Sequence, residues 1–180
     1  MSIDFKLIPF GADRPIPDIE IVGKIDRCQN HLSLQYQLLG DLEKIAIPAP
    51  SDSPKRQDEL WRKTCFEWFV SIPNEPQYWE FNCSPSGDWN VYHFEDYRHK
   101  MQTESTLTEL PFTIDRDDDR FALSVKLNLD RLKLGDRPLD LAITAVIQNI
   151  DETVTYWALT HTGDRPDFHR RDSFILAIDQ

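Results

Sequence analysis

The sequence predicts an all-β fold: an antiparallel β-sandwich of jelly-roll type, forming a single domain over residues 1–180, with a closed barrel as the alternative. Three observations point there. Apolar and polar residues alternate with a period of two through much of the chain, as strands with one buried face require. The 12 prolines and 6 glycines fall largely between the alternating runs, where turns and loops belong. Helical periodicity is scarce, limited to a few short turns.

In chain order, "IEIVGKI" aligns Ile19, Ile21 and Ile25, and "HLSLQYQLL" aligns Leu32, Leu34, Tyr36 and Leu38. Ser53 followed by Pro54 predicts a short helix reaching Glu59, since proline is pre-set for the first helical position. "DRDDDR" (Asp115 to Arg120) reads as a solvated hairpin tip, because it lacks the glycine and terminal glutamate of an EF-hand calcium loop. "FALSVKLNL" sends Phe121, Leu123, Val125, Leu127 and Leu129 inward and Ser124, Lys126 and Asn128 outward. "DRLKLG" predicts one helical turn capped by Asp130 and stopped by Gly135. "LDLAITAVIQ" and "TVTYWALTH" are longer strands, the second ending at Thr160 and His161, and "FILAI" closes the chain.

The segment "WRKTCFEWFV" (Trp61 to Val70) raises a chemical question, because Glu67 lies inside an otherwise apolar strand. Ionised carboxylates are rarely buried without a partner. Pro73-Asn74-Glu75-Pro76 is a turn, so the next strand should fold back antiparallel. With Ile72 opposite Gln77, one face carries Val70–Trp79, Trp68–Phe81 and Phe66–Cys83, all apolar. The other carries Phe69–Glu80, Glu67–Asn82 and Cys65–Ser84, and a slip of one residue would drive Glu80 or Asn82 into the core. Cys65 and Cys83 then face opposite ways, which opposes a disulfide. "SPSGDW" supplies a second tight turn, with Pro85 second and Gly87 fourth, and "WNVYHF" completes a meander. Its polar face is either a solvated exterior or a ligand surface. Carboxylate and amide groups beside Tyr78 and Phe69 suit the hydroxyls and CH faces of a sugar.

"LWRKTCFEWFV…YWEFNCSPSGDWNVYHF", together with "YWALTHTGDRPDFHRRDSF", resembles the DOMON-like domains related to family 9 carbohydrate-binding modules. It is most similar to a bacterial, especially cyanobacterial, subgroup resembling a DOMON domain found with UDP-N-acetylmuramate dehydrogenase. The resemblance implies a β-sandwich that binds sugars or, in some branches, haem. It implies ligand contacts from Trp61, just before the central strand, and from Glu67 within it. A second stacking tryptophan comes from a late strand in such domains; Trp157 is its candidate here, without a residue-by-residue match. Where the motif often has acidic residues before the glutamate, this chain has Lys63 and Thr64.

The second dense patch is "THTGDRPDFHRRDSF". Either it caps one end of the sandwich, with Phe168 as a plug and Asp167 bonded to backbone, or His161, Asp167 and His169 rim a ligand pocket with Arg165 as an anion contact. Neither His-x-His nor Glu-x-x-His spacing occurs, so no metal site is expected. No cofactor is expected either, with haem on Met101 and His161 as the alternative. Glu67 and Glu80 form a diagonal pair about 7–8 Å apart at the backbone, within the carboxyl separations of about 5–9.5 Å used by glycoside hydrolases. Cys65 has no histidine to generate a thiolate. Trp68, Trp79 and Trp89 read as core or rim packing.

A net charge of −11 repels phosphate backbones and anionic lipid, arguing against nucleic-acid and membrane partners. No leader-like or membrane-spanning apolar run occurs, and three cysteines without paired spacing fit a reducing, cytoplasmic location. The expectation is a non-catalytic domain for a saccharide or glycoconjugate, with ligand contacts from Trp61, Glu67, Glu80, Asn82, Trp157, His161, Asp167 and His169. A haem protein and a protein-interaction domain are the alternatives.

Overall fold

A computed structural model describes residues 2–11 and 16–179. Its strands, in chain order, are β1 (Ser2–Lys6), β2 (Ile8–Pro9), β3 (Ile19–Cys28), β4 (His31–Gly40), β5 (Cys65–Ser71), β6 (Tyr78–Cys83), β7 (Trp89–Phe94), β8 (Gln102–Thr103), β9 (Phe112–Arg116), β10 (Arg120–Asn128), β11 (Leu139–Gln148), β12 (Val154–Ala158) and β13 (Leu176–Ile178). They form two sheets. One runs β1-β3-β4-β10-β9; the other runs β2-β12-β11-β5-β6-β7-β8, with β13 also paired to β11. Every pairing between these strands is antiparallel, giving the predicted β-sandwich.

The alternating segments build the first sheet. In β4, Leu32, Leu34, Tyr36 and Leu38 are buried, while the residues between them are only partly so. One face therefore meets the core and the other meets water. Gly23 is needed where β3 and β4 approach Phe5: a Cβ there would lie 2.1 Å from the Gln35 carbonyl oxygen. Between the sheets, Phe66 stacks on Phe121 at 5.2 Å, Trp68 stacks on Phe81 at 4.7 Å, and Tyr36 packs on Phe66 at 5.1 Å. The Tyr36 hydroxyl also donates to the Glu67 carbonyl oxygen at 2.6 Å, tying the first sheet to the middle of β5.

Both predicted turns of the meander form. Asn74 adopts a positive φ of 64° and the Glu75 N–H returns to the Ile72 carbonyl, closing the first. In the second, the Gly87 N–H donates to Ser84 O with Gly87 at φ +94°. The acidic hairpin tip also stands as expected, with Arg120 paired to Asp115 and Asp117.

Two helical expectations need correction. Residues 53–59 form no helix, because their backbone bonds to β7: Gln57 N–H donates to Trp89 O and Trp89 N–H to Lys55 O. Arg56 reinforces this extended path, lying 4.2 Å over the Trp89 ring and donating to Asn90 Oδ1 at 2.7 Å. A 3₁₀ turn follows instead at Leu60–Arg62. The later turn spans Leu129–Leu132; its cap is Asn128, whose side chain accepts from Asp130 N–H, and it stops at Lys133, at φ 59°, before Gly135. β12 ends at Ala158 rather than at His161. β1, β2, β8 and β9 were not anticipated: they are short, and in β1 and β9 the burial pattern includes at most one fully buried residue.

Phe66 is fully buried against the Phe121 and Tyr36 rings of the opposite sheet. Phe66→Ala is expected to lower the unfolding free energy by about 3–5 kcal/mol, measurable by urea denaturation.

Candidate functional site

The predicted register of the meander is the observed one: Val70–Trp79, Trp68–Phe81 and Phe66–Cys83 on one face, Phe69–Glu80 and Glu67–Asn82 on the other. β7 extends both faces, placing Tyr92 beside Glu80 and Asn90 beside Asn82. β11 extends them on the opposite flank, placing Thr144 beside Glu67 and Val146 beside Cys65.

The polar face is not solvated. Glu67 is 2% exposed, Glu80 4% and Asn82 0%. Phe168 and Phe174, from the segment after β12, pack with Phe69, Tyr78, Tyr92, Phe94, Ala142, Val146 and Ala158 into a second apolar cluster, with Trp61 against it. The second sheet is thus covered on both sides. A cavity of about 310 Å³ remains under this cover, with Glu67 and Glu80 on its wall. Trp61, Phe69, Phe94, Tyr156 and Phe168 supply its rings; Arg98, Met101 and His169 also line it. Trp61 is set by the 3₁₀ turn and meets Tyr92 edge-on at 5.7 Å.

Burial governs the chemistry. It pushes the Glu67 carboxyl well above the usual range, and the nearby Glu80 charge pushes further, against a hydrogen bond from Cys65. Glu67 Oε1 is buried with no hydrogen-bond partner among the described residues. Glu80 is raised to about 7 by burial, moderated by Asn82 Nδ2, which donates to its Oε1 at 2.8 Å, and by the Arg98 charge. His169 is lowered to about 3, first by burial and then by Arg98, with Asp167 opposing. The Arg98 N–H donates to the Tyr78 hydroxyl at 3.1 Å, and that hydroxyl also shares a hydrogen bond with His169 Nδ1 at 2.8 Å. The other ring nitrogen, Nε2, lies 3.7 Å from Glu80 Oε2.

Of the residues expected from sequence, Trp61, Glu67, Glu80 and His169 meet at this cavity. Asn82 lies behind it and holds Glu80. Asp167 does not line it; it fastens the cover, accepting from the Tyr97 hydroxyl at 2.6 Å, from Arg98 Nη2 at 2.8 Å and from the His169 N–H at 3.1 Å. Trp157 must be corrected. It pairs with Ala145 on the core-facing side of β11 and is 3% exposed within the main core. Its neighbour Tyr156, opposite Val146, faces the cavity instead. His161 is also elsewhere: β12 has ended, and its Nε2 bonds to the Ile8 carbonyl while its ring packs on Phe10 at 5.2 Å. Arg98, not Arg165, is the cation at the cavity wall.

The residues do not fit a Met–His haem pair. His161 is not at the cavity that Met101 borders, and His169 presents one ring nitrogen to Tyr78 and the other to Glu80. Among the described residues, no cluster of three His, Cys, Asp or Glu side chains is placed to hold a metal ion.

No family model matches this chain, and no curated protein matches it. Its fold is similar to that of a candidate carbohydrate-binding protein from Bacteroides uniformis, with a TM-score of 0.69 and 15% identity over 96% of this chain and 84% of that one. It is also similar to a family 9 carbohydrate-binding module from Caldicellulosiruptor kristjanssonii in complex with glucose, with a TM-score of 0.53 and 11% identity over 92% of this chain and 78% of that one. At these identities the likeness is one of fold.

The buried acids and imidazole make opposite contributions to stability. Between about pH 4.5 and 7 the unfolded chain releases the Glu80 proton while the folded protein keeps it, so this contribution falls as pH rises. The unfolded imidazole binds a proton below about pH 6.5 and the folded one only near 3, so the His169 contribution rises with pH over that interval. In Glu80→Gln the opposing slope is gone. Urea denaturation at pH 5 and pH 7 should show this variant gaining on the wild type by roughly 2 kcal/mol as pH rises.

Proposed function

We propose that this chain is a DOMON-like, non-catalytic binding domain related to family 9 carbohydrate-binding modules, and that the cavity over Glu67 receives a saccharide or glycoconjugate. The observation that carries the proposal is the Glu67 carboxyl: an oxygen with no partner among the described residues, buried among aromatic rings at the wall of a cavity. A buried polar group without a partner costs about 1–3 kcal/mol. Hydroxyl groups of a ligand would remove that cost. Trp61 and Tyr156 would meet the apolar faces of a pyranose ring, while Glu67, Glu80 and His169 bond its edge. The volume suits one sugar unit. The glucose seen in the Caldicellulosiruptor module, which shares the fold, adds support.

A hydrolytic role draws no comparable support. A glycosidase needs one protonated and one ionised carboxyl, set apart by different surroundings. Burial lifts both Glu67 and Glu80 out of the usual carboxylate range, so neither is held fully ionised near neutral pH.

Thermal-shift screening against mono- and disaccharides is expected to identify ligands that raise the melting temperature by mass action. For such a ligand, calorimetry should record loss of binding in Trp61→Ala and Glu67→Gln with the fold retained, and unchanged affinity in Trp157→Phe. Full binding by both site variants would dismiss the cavity.

A further inference from the structure

We propose that the ligand group seated between Glu67 and Glu80 is an ammonium, so the saccharide is an amino sugar with its amine free. The inference rests on the saccharide reading and narrows its ligand class. The cavity places two carboxyl side chains from adjacent strands at one wall, in diagonal register, with five aromatic rings around them. Carboxylates surrounded by ring faces attract a cation twice, through opposite charge and through the aromatic quadrupole. Neutral hydroxyls would fill hydrogen bonds but leave two neighbouring acids resisting ionisation together.

Among the described residues no cation forms a salt bridge with either carboxyl; the Arg98 charge moderates Glu80 without pairing to it. Arg98, the one basic residue among the described residues at the cavity wall apart from His169, directs its guanidinium to Asp167. His169 is held neutral at physiological pH by burial, with Nδ1 engaged by Tyr78. The other titratable groups facing the acids from neighbouring elements cannot supply charge either. Burial raises Cys65 on β5, Tyr78 on β6 and Tyr92 on β7, keeping all three neutral. Glu67 Oε1 remains without a partner among the described residues. Past Trp61 the surface adds two further carboxyls, Asp58 and Glu59, the second of them paired with Arg62.

Proton bookkeeping gives the signature. When the ammonium enters, a Glu67 or Glu80 carboxyl releases its proton to solvent and the O–H is replaced by an N⁺–H donor. Binding should therefore release protons and strengthen as pH rises from 6 to 7, below the range where the sugar amine itself loses its proton, by roughly fourfold to fivefold for a carboxyl near 7.

The test is titration calorimetry of the whole chain with D-glucosamine, D-glucose, N-acetyl-D-glucosamine and ethanolamine, at both pH values and in buffers of different ionisation enthalpy. Glucosamine is expected to bind at least roughly tenfold more tightly than the two neutral sugars, with proton release. Glu80→Gln, checked by thermal unfolding, should lose that preference while still binding sugar, whereas Glu67→Gln loses sugar binding altogether. Equal binding of the three sugars overturns the ammonium inference and leaves the saccharide reading intact. Binding of ethanolamine alone supports the ammonium and overturns the saccharide. Binding of none overturns both.

Discussion

Enclosure of one sheet on both faces is the constraint on which the rest depends. A sandwich needs only one buried face per sheet, and the first sheet obeys that rule. The second has its inner face in the main core and its outer face beneath the segment after β12. Every residue of β5 and β6 is buried as a result. Two glutamates and two asparagines on this sheet are thereby withdrawn from water, and the protonation of the glutamates is set first by enclosure.

The cover is fastened by polar contacts with few participants. Asp167 gathers Tyr97, Arg98 and the His169 backbone, while Tyr78 joins Arg98 to His169. The same groups that hold the segment down also set the cavity's electrostatics. Arg98 neutralises Asp167 and, by its proximity, disfavours charge on His169. Attachment of the cover and tuning of the site are one network, so each substitution within it has both a structural and an electrostatic effect.

The fold was legible because alternation is a local property. Leu32 to Leu38 and Phe121 to Leu129 announce their inward faces without knowledge of any partner strand. The register of β5 on β6 was legible too, since two hydrophobic patterns and a turn admit one alignment. The loop after β12 was legible as a possible cap plugged by Phe168, but not its place: it covers the outer face of the sheet over Glu67 rather than one end of the sandwich, a placement that no local pattern announces. Trp157 shows the same limit. Both it and Tyr156 are aromatic, and choosing between them requires knowing that β12 lies on β11 with Tyr156 opposite Val146. Arg98 and Met101 sit in a polar stretch with no periodicity, and only the folded chain brings them to the cavity.

The bond from the Tyr36 hydroxyl to the Glu67 carbonyl has a mechanical consequence. It fixes the backbone of the key acid from behind, through a residue that belongs to the opposite layer and never approaches the cavity. The spacing between the layers thus determines how far the carboxyl projects. Substitutions in remote packing, around Phe5 or Phe121, can be transmitted as a change in reach at the recognition surface, which makes its geometry an inheritance from the interior rather than from the loops at its mouth.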